Sequence, residues 1–161
     1  EDVVTNFHTT GIQESWLEQL QESGCRITSP RRAIINILAN SDQALDAVEI
    51  FDLSREDHPQ MGLVTVYRTL EKLEQLDLVQ RVHQMEGCHL YLRAPQGHEH
   101  ILVCKNCRRT DYFSGDDLAE LIEITSQKSG YQIEDHWLQF IGLCARCRKI
   151  VPADEVPEQH A

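Results

Sequence analysis

Cys104-Lys-Asn-Cys107 and Cys144-Ala-Arg-Cys147 are two CxxC pairs with 36 residues (108 to 143) between them, and no other feature restricts the folded chain so strongly. Each two-residue gap lets a tight knuckle present both sulfurs to one ion, so two pairs supply the four thiolates of a tetrahedral Zn²⁺. The segments that carry them must therefore meet in space. The competing reading is a disulfide or redox pair. It needs an oxidising compartment or a thioredoxin-like βαβ unit, and the flanks suggest neither. One structural Zn²⁺ per protomer is expected at Cys104, Cys107, Cys144 and Cys147.

With 161 residues, 41% of them apolar and 25% charged, the chain is of ordinary globular composition and forms one domain or two small ones. A small unit gains from a metal staple. No apolar run reaches the length of a membrane span, and Glu1-Asp2-Val3-Val4 lacks the charged-then-apolar pattern of a signal peptide. A cytoplasmic protein with reduced thiols and no membrane partner is expected. The formal charge of −11 argues against indiscriminate coating of nucleic acid. Residues 1–92 carry 7 Lys/Arg against 15 Asp/Glu, a net of −8, so neither part of the chain is broadly basic. Positive charge is instead local. Arg26, Arg31 and Arg32 lie close together, and Arg68 and Lys72 are one helical turn apart.

Apolar periodicity predicts four helices in the first half. Ile12, Trp16, Leu17 and Leu20 mark the first, which Gly24 ends. Ser29-Pro30 reads as an N-cap and a proline in the first turn of the second, with Ala33, Ile34, Ile37 and Leu38 facing inward. Asp46 caps a third through Val48, Ile50, Phe51 and Leu53, closed by His58-Pro59. The fourth runs from about Leu63 to Leu76. At about 100° per residue, Val66, Leu70 and Leu73 form its core face, Thr65, Arg68 and Lys72 the opposite side, and Tyr67 the flank. Such a face suits a DNA major groove, and equally a plain solvated surface. Residues 78–82 and 89–92 are β-prone runs joined by Gln84-Met85-Glu86-Gly87, a hairpin signal. Helices followed by a hairpin describe a winged helix.

Ala94-Pro95-Gln96-Gly97 reads as a hinge. Beyond it, Ile101-Leu102-Val103 leads into the first knuckle and residues 116–127 carry helical periodicity. The run from Tyr131 to Leu143 is strand-like and enters the second knuckle. This describes a small α/β domain whose first and last strands are clamped by zinc. The expected organisation is 1–93 winged helix, 94–97 hinge, 98–151 zinc-containing domain, and 152–161 an acidic tail without order.

Four motifs in this order resemble the ferric uptake regulator (Fur) family of metal-responsive bacterial repressors. They are Arg26-Ile27-Thr28-Ser29-Pro30-Arg31, Thr65-Val66-Tyr67-Arg68-Thr69-Leu70, His98-Glu99-His100 ahead of the first CxxC, and the second CxxC. The resemblance spans about residues 12–149. It implies an α/β (α+β) homodimer that joins an N-terminal winged helix-turn-helix domain to a small C-terminal α/β dimerisation domain. It further implies that Tyr67 reads bases with Thr65 and Arg68 beside it, and that Arg26, Thr28 and Arg31 contact phosphates. Arg31 could instead pair with a neighbour.

The resemblance also places a regulatory metal at His98, His100 and His136. Ala119 falls where the family has a helix carboxylate, so Glu120, Asp117 or water would fill that position. The positions of the family's other regulatory site match Ala44, Tyr91 and Tyr112, poor ligands for a divalent ion, so that site is expected to be absent or rebuilt. His83, Cys88 and His89 on the wing hairpin are a candidate replacement, although Cys88 is as easily a small core residue. Histidine at both 98 and 100 is most similar to zinc uptake regulators, which makes Zn²⁺ the expected regulatory ion and Fe²⁺ the alternative. The function these features imply is metal-dependent repression of metal uptake genes at near-palindromic double-stranded operators. An enzyme is not expected, because nothing supplies a general base beside the histidines. The rival from another class is a zinc-stabilised interaction module without DNA binding.

Overall fold

The computed structural model describes residues 11–83, 89–114 and 118–150. The chain divides into two compact units between Ala94 and Pro95.

The N-terminal unit contains α1 (Ile12–Glu22), α2 (Ser29–Asn40), α3 (Ala47–Arg55) and α4 (Leu63–Gln75), followed by β1 (Val79–His83) and β2 (His89–Arg93). Sequence sets most of the boundaries. Asp46 caps α3 by accepting from the amides of Val48 and Glu49, while Glu49 returns the bond to the Asp46 amide, a complete capping box. The start of α2 differs by one residue from expectation. Thr28 is the N-cap, its Oγ1 accepting from the Arg31 amide at 3.4 Å, and Ser29 is already helical.

The core is built from Trp16, Leu20, Ile34, Ile35, Leu38, Ile50, Val66, Leu70 and Leu73, each at most 2% exposed. At about 1.5–3 kcal/mol per buried large side chain, this cluster dominates the stability of the unit. Two inward faces are rotated from those predicted. In α2, Ile35 and Ala39 are buried while Ala33 and Ile37 are only partly covered. In α3, Val48 and Leu53 face solvent and Ala47 and Ser54 face inward, Ser54 donating to the Ile50 carbonyl at 2.6 Å. A small side chain lets α3 approach its neighbours closely, which hydropathy alone does not reveal. β1 and β2 pair antiparallel from Val79 opposite Arg93 to His83 opposite His89. Leu45 adds a third, one-residue rung, exchanging both backbone hydrogen bonds with Tyr91 at 3.0 and 2.7 Å. The predicted turn at 84–87 lies outside the described residues, as does the tail 152–161.

The C-terminal unit holds β3 (Glu99–Cys104), β4 (Thr110–Ser114), α5 (Ala119–Ser129), β5 (Gln139–Gly142) and a 3₁₀ turn at Cys147–Lys149. The sheet order is β4-β3-β5, with β4 antiparallel and β5 parallel to β3. Gly130 ends α5 with φ 75°, the left-handed conformation that glycine adopts without a Cβ clash. The long strand expected over 131–143 is short. Ladder pairing with β3 covers only 139–142, with one further bond from the Ile101 amide to the Leu138 carbonyl at 3.2 Å.

Candidate metal centre and nucleic-acid interface

Parallel pairing of β3 and β5 decides where the cysteines go. Cys104 lies opposite Gly142, so both strands end at the same edge of the sheet and both knuckles start there. An antiparallel arrangement would have put them at opposite ends. The Arg108 amide donates to the Cys104 carbonyl at 2.8 Å and the Arg148 amide to the Cys144 carbonyl at 2.9 Å, closing the two knuckles alike. Arg108 takes a positive φ of 58° to leave the first one.

The four Sγ atoms lie within 4.8 Å of one another, and Cys107 and Cys144 are 3.7 Å apart. Zn–S bonds of about 2.3 Å put tetrahedral sulfurs about 3.8 Å apart, whereas a disulfide needs about 2.05 Å. The donor set fits zinc.

Polar groups are already aimed at the sulfurs. The Cys144 amide donates to Cys104 Sγ at 3.3 Å, and Asn106 Nδ2 donates to Cys147 Sγ at 3.2 Å. Burial pushes the Cys104 thiol up, but the amides of Cys107, Cys144 and Asn106 outweigh it and lower its pKa to about 6. The Cys147 amide lowers that of Cys144. At Cys147 the Asn106 amide works against burial and the neighbouring thiols, which win and raise it to about 11. The four thiols thus differ in acidity, and a bound Zn²⁺ would require all of them as thiolates. Among the described residues no other group of three or more potential ligands converges in this way.

The histidines are arranged differently. His100, on β3, is 4% exposed and packs against Phe113 of β4 and against His136, with ring centroids 5.2 and 5.3 Å away. Two of the predicted ligands, 36 positions apart in sequence, are therefore neighbours. His98 lies exposed just before β3, and Glu120 is exposed in the first turn of α5; the structure does not gather either with the pair. Asp117 lies outside the described residues. Of the wing candidates, His83 and His89 are cross-strand neighbours in the ladder, and Cys88 lies outside the described residues. Ala44 and Tyr91 are core residues, and burial, helped by Glu74, pushes the Tyr91 hydroxyl up.

On α4 the core face is Val66, Thr69, Leu70 and Leu73. Tyr67 is 49% exposed and Arg68 is exposed. Thr65 and Lys72 are half-buried, which turns the solvent stripe away from them. Its members are Val64, Tyr67, Arg68 and Glu71, at i, i+3, i+4 and i+7. Val64, 61% exposed, went unnoticed in the sequence because an aliphatic residue in a helix is ordinarily assigned to the core. Arg26 is exposed, but Arg31 turns inward, one guanidinium nitrogen donating to the Arg26 carbonyl and to Cys25 Sγ. That contact fixes the turn before α2 and leaves less of Arg31 for a phosphate.

The sequence profile of the ferric uptake regulator family matches residues 22–141. The ferric uptake regulation protein of Bacillus subtilis (strain 168) is 35% identical over 134 residues, covering 81% of this chain and 90% of its own length. Among solved structures, the Vibrio cholerae ferric uptake regulator aligns with a TM-score of 0.61 at 29% identity, covering 79% of this chain and 98% of its own. A zinc uptake regulator complexed with zinc and DNA aligns at 0.67 and 21% identity, covering 90% and 98%, a likeness of fold. No helix of the described residues is long and apolar enough to cross a membrane. A four-thiolate cluster at a parallel strand edge, a helical unit with a β-ribbon, and profile agreement over most of the length converge: this chain belongs to the ferric uptake regulator family, whose members are metal-responsive DNA-binding transcription regulators rather than enzymes.

Proposed function

We propose that this protein is a zinc-responsive repressor that acts in the cytoplasm as a homodimer on near-palindromic double-stranded operators of metal uptake genes. Zn²⁺ at Cys104, Cys107, Cys144 and Cys147 keeps the C-terminal unit folded. Four thiolates close that coordination sphere, so the ion that reports supply sits elsewhere. The observation that carries the reading is the His100–His136 pair, two imidazoles tilted by 50° with centroids 5.3 Å apart in the unit that also holds the four cysteines. His98 and Glu120 complete the proposed ligand set. Imidazole-rich ligation suits zinc. Because His98 follows the 94–97 hinge, coordination there restricts the hinge and selects the DNA-competent state, and the coupling is reciprocal. Tyr67, Thr65 and Arg68 read bases, and Arg26 and Thr28 lie at the phosphates with Arg31 supporting their turn. The homodimer is supported by Leu121, Phe140 and Ile141, each at least half exposed in the single chain.

The iron-directed name of the Bacillus subtilis relative favours a second reading, Fe²⁺ at the same histidines. Metal content per protomer before and after a mild chelator, paired with operator gel shifts titrated with Zn²⁺ or with Fe²⁺ under anaerobic conditions, separates the two. Two ions of different lability, with Zn²⁺ restoring the shift at the lower free concentration, are expected. Substituting His98 and His136 by Ala, both exposed, should abolish the metal response while sparing fold and dimer. A palindromic operator with no metal-dependent shift at moderate salt would sink the repressor reading altogether.

A further inference from the structure

On α4 the position diametrically opposite the core is held by a bare aliphatic side chain. At about 100° per residue, Tyr67, Arg68 and Glu71 fall within about 60° of Val64, while Val66, Leu70 and Leu73 lie on the far side of the axis. Val64 is 61% exposed and Tyr67 49%. Neither fills the core of its own unit, so on a solvated face Val64 gains nothing by being apolar. A charged or amide side chain there would be at least as compatible with water. The stripe thus offers an aliphatic group at the N-terminal end of the helix, one turn ahead of an arginine and a tyrosine.

We infer that Val64 is a base-reading residue that packs on the C5-methyl group of thymine in the major groove. This rests on the DNA-binding reading above and deepens it. The occupant follows from chemistry. Of the four bases only thymine presents an apolar group in the major groove, and an aliphatic side chain makes no hydrogen bond to the edges of the others. Arg68, four residues on and on the same stripe, brings the positive charge that draws this face to a polyanion. Glu71 repels phosphate, which favours insertion of the stripe by its N-terminal end, where Val64 lies. Val64 therefore selects thymine over cytosine by contact with a methyl group, while Tyr67 and Arg68 serve their own neighbouring positions.

The test uses the full-length, Zn²⁺-loaded protein and a duplex recovered from a random-sequence pool by repeated selection. Each thymine is then replaced singly by deoxyuridine, which removes the methyl and keeps every hydrogen-bonding group. Burying one methyl-sized group corresponds to about fourfold in affinity. The wild-type protein should lose about fourfold at one thymine of a half-site, and Val64→Ala, whose shorter side chain withdraws from the methyl, should show a clearly smaller penalty at that thymine. Val64→Ala is an exposed change to a better helix former, so loss of folding does not confuse the result. Circular dichroism checks this. Equal wild-type affinity for every deoxyuridine duplex, or an undiminished deoxyuridine penalty in Val64→Ala, would overturn the inference and leave DNA binding intact. Failure to recover any duplex would overturn both together.

Discussion

The two units bury their apolar side chains to very different extents. In the N-terminal unit α1 to α4 each contribute buried residues to one continuous cluster that runs from Trp16 to Tyr91. In the C-terminal unit α5 buries none of its residues, and Leu121, Tyr131, Trp137, Phe140, Ile141 and Ile150 are all at least half exposed. The first unit is closed by its own hydrophobic effect. The second has a three-stranded sheet, a small core around Ile101 and Val103, and four clustered sulfurs, so on the proposed reading a bound ion contributes much of its order.

The contrast is broken most severely by removing the metal. Structural zinc is worth about 10–16 kcal/mol in zinc-finger peptides, comparable with the whole stability of an ordinary domain. Cys104→Ser, or a strong chelator, should release zinc and abolish protection of β3 to β5 in hydrogen exchange while α1 to α4 stay protected. If both units lost protection together, the division of labour would be wrong. The reverse experiment is Leu70→Ala, which truncates a side chain 1% exposed. It should cost the N-terminal unit about 2–5 kcal/mol in urea unfolding and leave the zinc content at one strongly held ion. The smallest effect on folding belongs to Leu121→Asp. Leu121 is 59% exposed, so stability of the single chain should change by no more than about 0.5 kcal/mol. Self-association measured by sedimentation should nevertheless weaken by tenfold or more. An unchanged dimer would move the interface off α5.

Local chemistry made much of the first unit legible. Asp46 announces the cap of α3, which Glu49 completes as a capping box in the fold, and Leu70 and Leu73 announce the core side of α4 by period. The two CxxC pairs likewise identify their own purpose, because two sulfurs separated by two residues have few geometries. What stayed hidden was set by partners distant in the chain. Leu45 pairs with Tyr91 as a lone rung, too short to leave a pattern. Ile35 and Ser54 face inward because of how the helices rotate against one another, and hydropathy cannot fix that rotation to within one residue. Residues 131–138 have strand propensity, but the described edge of β3 accommodates only 139–142. Val64 is a different case, an aliphatic residue outside the periodic core face of α4 that stands 61% exposed.

The sequence by itself determined the four helices of the first unit, the four cysteines that cluster and the helix that carries Tyr67 and Arg68, because caps, periods and knuckles are governed by residues within a few positions of each other. The tertiary structure alone decided that β3 and β5 run parallel and so deliver both knuckles to one edge. It also decided that His100 meets His136 while His98 stays outside. Each of those depends on the direction in which distant segments pack, a choice made by the summed burial of the whole unit rather than by any local preference.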